Sequence, residues 1–416
     1  MHVVVIGAGI IGVTTAHYLH GAGHRVTLID RRENSAQETS FANAGVIAPG
    51  YVTPWASPGM PGKVFRGLMQ STSPVIFRPS FDAALWRWAR AWLRECALER
   101  YRANRLRMQR IAFYSREQLH DLRERLGLDY EQHQGYLQLL RTPRDLALAR
   151  PALDLLEQAG VKHEVVDAER CYAIEPGLAR DTPLTAGVWL AEDESGNCAL
   201  FARRLKAQLA GAGAELRMNT TVTGLDFTGT PRVHLADAPP IDGDAVVVCA
   251  GVESAALLAP LGIRLPLFAI KGYSITLPIK LHERAPQGAL MDEHFKVAVT
   301  RLGMRMRVSG TAELSTRSLT VRPQALRTLW RVARDWFGPA PDYTCPQLWI
   351  GARPMLPEGA PLLGATPHRG LYLNLGHGSS GWAMACGSGK IVADLISART
   401  PDIDLEGLTL ADRYPR

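Results

Sequence analysis

The stretch WIGARPMLPEGAPLLG, residues 349 to 364, places one arginine in an otherwise uncharged run before Glu358. Trp349, Ile350, Gly351 and Ala352 precede Arg353, and Pro354, Met355, Leu356 and Pro357 follow it. A guanidinium beside apolar surface is costly unless an anion meets it. Its planar fork can grip a carboxylate through two parallel hydrogen bonds. That carboxylate belongs to a ligand on one reading. On the other, the partner is structural, either Glu358 or a helix end.

A second concentration of chemistry lies in HVVVIGAGIIGVTTAHYLHGAGHRVTLID, from residue 2. Gly7, Gly9 and Gly12 form GxGxxG directly after the apolar run Val3 to Ile6. The first glycine permits a tight turn, the second lets backbone approach a pyrophosphate, and the third lets helix and strand pack closely. A helix starting at Ile10 and Ile11 aims its free N–H groups and positive end at that pyrophosphate. The second strand, Arg25 to Ile29, ends at Asp30, placed to accept hydrogen bonds from an adenosine ribose. The acid does not separate FAD from NAD.

These groups need elements to position them. Residues 39 to 59, TSFANAGVIAPGYVTPWASPG, show neither helix nor strand period and read as a long functional loop. A helix is expected within residues 197 to 216, then a strand in RMNTTVTGLDF. A buried strand in DGDAVVVCAGVESAAL ends at Ala250 and Gly251. In GLYLNLGHGSSGWAMACGSGKIVADLIS, a strand over Leu371 to Leu375 precedes a turn at Gly376, Gly378 and Gly381. Ser379 and Ser380 are candidate caps for the helix that follows. Nucleotide-binding elements thus recur at wide separation, so their domain is discontinuous.

Composition narrows the function classes. The chain has 416 residues, 46% hydrophobic and 21% charged, which suggests two soluble domains. The net charge of +7 favours anionic partners. No zinc-finger spacing or aromatic-rich RNA-binding signature points to nucleic acid. The six cysteines form no CxxC pair, which indicates buried free thiols in a reducing compartment and no metal site. No apolar run approaches the ~20 residues of a membrane-spanning helix. A strand pattern from Val3 leaves no room for a signal peptide, so the expected location is cytoplasmic.

Taken together, VVVIGAGIIGV, ETSFANAGVIAPGY, LPLFAIKGYSITLPI, VAVTR, GARPMLPEGAPLLG and LNLGHGSSGWAMACGSGK resemble one family over essentially the whole chain. It is that of the bacterial FAD-dependent D-amino acid dehydrogenases of small-subunit type, within the glycine, sarcosine and D-amino acid oxidase group. The resemblance implies an α/β fold. A discontinuous Rossmann-like FAD-binding domain (1–75, 193–262 and 346–416) would join an α+β substrate domain (76–192 and 263–345). The latter would carry a large antiparallel sheet.

The implied reaction is oxidative deamination of a D-amino acid such as D-alanine to a 2-oxo acid and ammonia. Hydride passes to flavin N5, and electrons go on to a quinone or respiratory-chain acceptor. Arg353 takes the substrate carboxylate in this reading. Tyr273 is a wall or hydroxyl ligand, or a core aromatic, and Tyr51 is a lid residue. His377 touches the flavin edge through backbone or side chain. Lys271 and Arg301 are either further anion contacts or salt-bridged. Asn43, Ala44 and Gly45 pass close to the isoalloxazine. Arg31, Ser40 and Val222 complete the cofactor set with Ala250, Gly251 and the 376–381 turn. The alternatives are relatives acting on D-proline, hydroxyproline isomers, glycine or sarcosine, oxygen-using variants, and a nucleotide-binding module without catalysis.

Residues 59 to 110 add a peripheral membrane contact as an open alternative. Trp86, Trp88 and Trp92 alternate there with Arg87, Arg90 and Arg94, and Phe65, Leu68 and Met69 accompany Lys63 and Arg66. Basic, aromatic amphipathic segments can rest on anionic lipid. The competing reading is a core helix with a solvated basic face.

Overall fold

A computed structural model describes residues 1–67, 74–316 and 318–414. Its first sheet has six strands in the order 362–365, 371–375, 245–248, 2–6, 25–29 and 215–217. All neighbours are parallel except the antiparallel pair 362–365 and 371–375. Val3, Val4 and Val5 are fully buried, as are Val246, Val247 and Val248. Continuous apolar runs suit such strands because helices cover both faces. The Ile10–Gly21 helix lies across the Gly381–Ile396 helix so closely that a Cβ on Gly389 would meet the Thr15 amide at 2.9 Å.

The second large sheet has ten strands. Its main path runs 347–355, 268–278, 305–314, 297–302, 289–292, 133–140, 186–195 and 46–47. Most pairs are antiparallel. The 289–292 strand is parallel to 133–140, and the 75–77 strand is parallel to 305–314. The Pro323–Phe337 helix covers one face with Leu326, Leu329, Val332, Trp336 and Phe337, an i, i+3, i+4 stripe. A three-stranded sheet of residues 222–226, 232–235 and 241–242 completes the α/β fold.

Several local expectations need correction. RMNTTVTGLDF is two strands: Glu215–Arg217 joins the six-stranded sheet and Val222–Asp226 the three-stranded one. Asn219, in the left-handed region at φ 51°, turns the chain between them. Its amide donates to the Arg32 carbonyl at 2.9 Å. The 39–59 loop contains a two-residue strand, Val46–Ile47, and a 3₁₀ turn, Pro49–Tyr51. Gln347–Met355, which carries Arg353, is an edge strand of the ten-stranded sheet. All six cysteines are free, but Cys345 is exposed and Cys96 only partly buried.

The tryptophan-rich helix, Ala83–Glu95, is mainly a core element. Trp88 and Trp92 are buried, stack at 6.0 Å and pack with Trp55. Trp86 alone of the three remains half-exposed. Leu68 and Met69 lie outside the described residues, as do the side chains of Phe65 and Arg66. No helix among the described residues is long and apolar enough to cross a membrane.

Candidate active site

One continuous cavity of about 2370 Å³ runs between the two large sheets. Its walls include the first glycine turn, the loop after Glu38, residues 249–253, the Arg353 strand and the 374–383 turn. The sequence elements that carry chemistry therefore converge on one space.

At the dinucleotide end, geometry explains two glycines. Gly7 has φ +102°, and a Cβ there would lie 2.6 Å from the Cys249 carbonyl oxygen. A Cβ on Gly12 would lie 1.7 Å from the Gly7 carbonyl oxygen. The turn is thus wedged between strand end and helix with no room for side chains. Gly9 caps the helix without a side-chain bond, and its first turn has no acid. The Ile10 amide donates to Ser40 Oγ at 3.1 Å. Asp30 accepts from the Ala8 amide at 2.6 Å and the Arg32 amide at 2.8 Å, while burial raises its pKa. Its remaining lone pairs can take ribose hydroxyls. Ile11, Val222, Ala250 and Gly251 line the same cavity. Arg31 lines it too, gripping Glu38 through two bonds of 2.8 and 2.9 Å.

In the middle of the cavity, Asn43, Ala44 and Gly45 are fastened to the ten-stranded sheet. Thr300 Oγ1 donates to the Ala44 carbonyl at 2.7 Å, and Arg307 Nη1 to the Asn43 carbonyl at 3.3 Å. Gly45 has φ +75° and donates to Asn43 Oδ1 at 3.0 Å. The 376–381 turn lines the same cavity. Gly376 and Gly378 have φ +82° and +57°. Ser380 occupies the N-cap of the following helix, but it makes no capping bond; nor does a Ser379 side chain replace it. The expected serine cap is absent because Ser380, at φ −108° and ψ 17°, lacks the extended backbone that aims an N-cap side chain at the helix amides. His377 is buried, meets Ser388 Oγ at 3.0 Å, and is held neutral by burial with its pKa down to about 3.

The protein partners proposed for Arg353 are taken by others. Glu358 is bound by Arg413 and by the Tyr414 hydroxyl at 2.7 Å. Arg353 Nη1 donates to the Lys271 carbonyl at 3.2 Å, across 82 residues. Among the described residues no carboxylate acts on it, and burial alone lowers its pKa to about 10, so it stays charged. Gly272 makes its position possible: a Cβ there would lie 2.4 Å from Arg353 Nη2. Thr39 Oγ1 and Trp88 Nε1 fix the flanking carbonyls of Ala352 and Met355 at 2.7 and 2.9 Å. The role of Gly272 was missed from sequence, although a glycine inside a β-branched strand signals a close approach.

The other candidates have protein partners. Tyr273 donates to Glu313 Oε2 at 2.5 Å, and Lys271 Nζ meets Glu313 Oε1 at 3.4 Å, with both charged side chains fully buried. Tyr51 donates to Glu293 Oε1 at 2.9 Å while its ring lines the cavity. Arg301 bonds the carbonyls of Gly303 and Pro286 and the His282 ring. No metal-ligating cluster occurs among the described residues.

The glycine cradle, the two helix N-termini and the unpaired guanidinium fit a dinucleotide cofactor beside a carboxylate ligand. Residues 2–395 match the FAD dependent oxidoreductase family. A D-amino acid dehydrogenase of Rhizorhabdus wittichii is 46% identical over 417 residues, covering 100% of both chains. One of Bradyrhizobium diazoefficiens is 43% identical, covering 100% of this chain and 99% of its own. The solved glycine oxidase of Geobacillus kaustophilus superposes with TM-score 0.75 at 21% identity, covering 98% of this chain and 97% of that one. The L-proline dehydrogenase of P. horikoshii gives 0.73 at 19%, covering 99% and 95%. These last two likenesses establish the fold. With its full-length match, this chain is an enzyme whose cofactor is FAD, and it belongs to the FAD dependent oxidoreductase family.

Proposed function

We propose that this enzyme oxidatively deaminates D-amino acids to 2-oxo acids and ammonia. The observation that carries this reading is Arg353, a charged guanidinium in the cavity wall with no carboxylate among the described residues. Its complement is the α-carboxylate of an amino acid. The full-length relatives named D-amino acid dehydrogenase support the class of substrate. In this reading Asp30, Ser40 and the turns at residues 7–12 and 376–381 hold the cofactor. The segments 1–75, 193–262 and 346–416 form its domain, except that strands 46–47 and 347–355 join the ten-stranded sheet of the substrate domain at 76–192 and 263–345.

When bound, FAD supplies the acceptor for the hydride leaving the α-carbon, and water hydrolyses the resulting imino acid. Arg353 fixes the substrate by its carboxylate, which sets the direction of the α-hydrogen. The apolar walls exclude water and favour the neutral amine, whose lone pair expels the hydride. No protein base is required: Tyr51 and Tyr273 already donate to Glu293 and Glu313, and His377 pairs with Ser388. Orientation and desolvation carry the catalysis. Anaerobic bleaching of the yellow holoenzyme across D-, L- and N-methyl amino acids tests the reading. Bleaching by D-amino acids supports it, and bleaching by only L- or N-methyl compounds overturns it.

The electron acceptor in this proposal is a quinone or another respiratory-chain carrier. Exposed Phe81, Trp86 and Leu93, with Arg87, Arg90 and Arg94 on the same helix region, would rest on anionic lipid. Peroxide formation without reduction of a quinone analogue counts against this acceptor. Failure to sediment with anionic vesicles counts against the lipid contact.

A further inference from the structure

A second buried guanidinium in the cavity wall lacks a carboxylate among the described residues. Arg105, on the Leu98–Leu126 helix, is only 5% exposed and lines the cavity. Among the described residues its Nε has no hydrogen-bond partner, and its one side-chain partner is the Tyr101 hydroxyl. Two other arginines shielded from solvent are matched: Arg141 by Asp292 and Asp335, Arg413 by Glu358. Arg307, which lacks such a pair, bonds Thr276 and the Asn43 carbonyl outside the cavity lining. An orphaned, buried donor on a cationic group is expensive unless a ligand completes it.

A chain of contacts leads from the Arg105 helix to the Arg353 strand. One turn further along its helix, Gln109 Nε2 donates to the Gly50 carbonyl at 3.0 Å, and a Cβ on Gly359 would meet both Pro54, at 3.1 Å, and Met108 Sδ, at 3.2 Å. The chain then runs from Tyr51, a cavity residue, to Trp55, whose ring packs on Trp88 at 6.1 Å. Trp88 in turn holds the Met355 carbonyl, two residues beyond Arg353. Residues 51–55 thus connect the surroundings of one unmatched arginine to those of the other.

We propose that Arg105 binds the side-chain carboxylate of the substrate, so that the enzyme selects acidic D-amino acids, with Arg353 on the α-carboxylate. The proposal rests on the D-amino acid reading and deepens it. Aspartate and its amide, or glutamate and its amide, are nearly the same shape, so their ratio isolates the charge. A charge-assisted contact gives the acid an advantage on the order of 10- to 100-fold over the amide.

The test is anaerobic flavin reduction of the holoenzyme by D-aspartate and D-glutamate against D-asparagine and D-glutamine. We expect an acid-to-amide ratio in second-order rate above about 10, collapsing toward parity in Arg105→Gln and partly kept in Arg105→Lys. A purely structural role for Arg105 would slow acid and amide alike. Amides reduced as fast as acids by the wild type, or a ratio untouched by Arg105→Gln, would overturn the proposal. Should Arg105→Gln fail to fold, the wild-type ratio and Arg105→Lys decide. If no D-amino acid reduces the flavin, the parent reading fails, and ligand titration still judges the subsite. Glutarate perturbing the flavin spectrum at lower concentration than butyrate, only when Arg105 is present, supports it, and equal binding rejects it.

Discussion

The two faces of the Phe268–Pro278 strand treat buried positive charge in opposite ways. On one face Lys271 and Tyr273 both meet Glu313, which also accepts from Ser315 at 2.6 Å. That cluster is closed: cation, carboxylate and donors satisfy one another within the fold. On the other face Gly272 leaves a gap, and the Arg353 guanidinium from the neighbouring strand fills it with only a main-chain carbonyl as partner among the described residues. A matched charge holds the sheet together. An unmatched one, kept ionised at the edge of a cavity, is poised for a ligand.

The largest effect that could break this contrast is expected at Glu313. Glu313→Gln leaves Lys271 buried without its counter-ion and should destabilise the fold by ~3–5 kcal/mol. Chemical denaturation reads this directly, and an unchanged midpoint would mean that the closed cluster is not closed. Gly272→Ala attacks the other face. Its Cβ would overlap the guanidinium, so KM for amino acids should rise on the order of tenfold through loss of ~1.4 kcal/mol, with FAD content unchanged. An unaltered KM would show that Arg353 has room to spare.

A smaller and pH-dependent effect concerns His377. Its folded pKa lies near 3, below the ordinary 6.5, so the unfolded chain binds the extra proton first as pH falls. Stability should therefore be full above about pH 6.5 and decline between there and about 3. His377→Asn should flatten that part of the decline in a series of melting temperatures. An identical pH dependence in both proteins would place the imidazole elsewhere.

What could be read from the sequence was local. Gly7, Gly9, Gly12 and Asp30 fall within one strand–helix–strand unit, where spacing alone fixes geometry. The strands at residues 2–6 and 371–375 and the helix at 381–396 were likewise legible, because each carries its own period or glycine boundary. Distant pairings were not. Whether Arg353 met Glu358 depended on Arg413 and Tyr414 near the chain's far end. The commitment of Tyr273 to Glu313 depended on strand register, and the burial of Trp88 and Trp92 on a neighbour as remote as Phe268. Arg105 looked like one more basic residue on a polar helix, and only the cavity singles it out.

The central claim is that Arg353 waits for a ligand carboxylate, and Arg353→Met tests it most directly. Stopped-flow reduction of the variant holoenzyme by a D-amino acid should show FAD retained and kcat/KM lower by a factor on the order of 10² to 10³, about 3–4 kcal/mol. Near-normal kinetics in that variant would contradict the account.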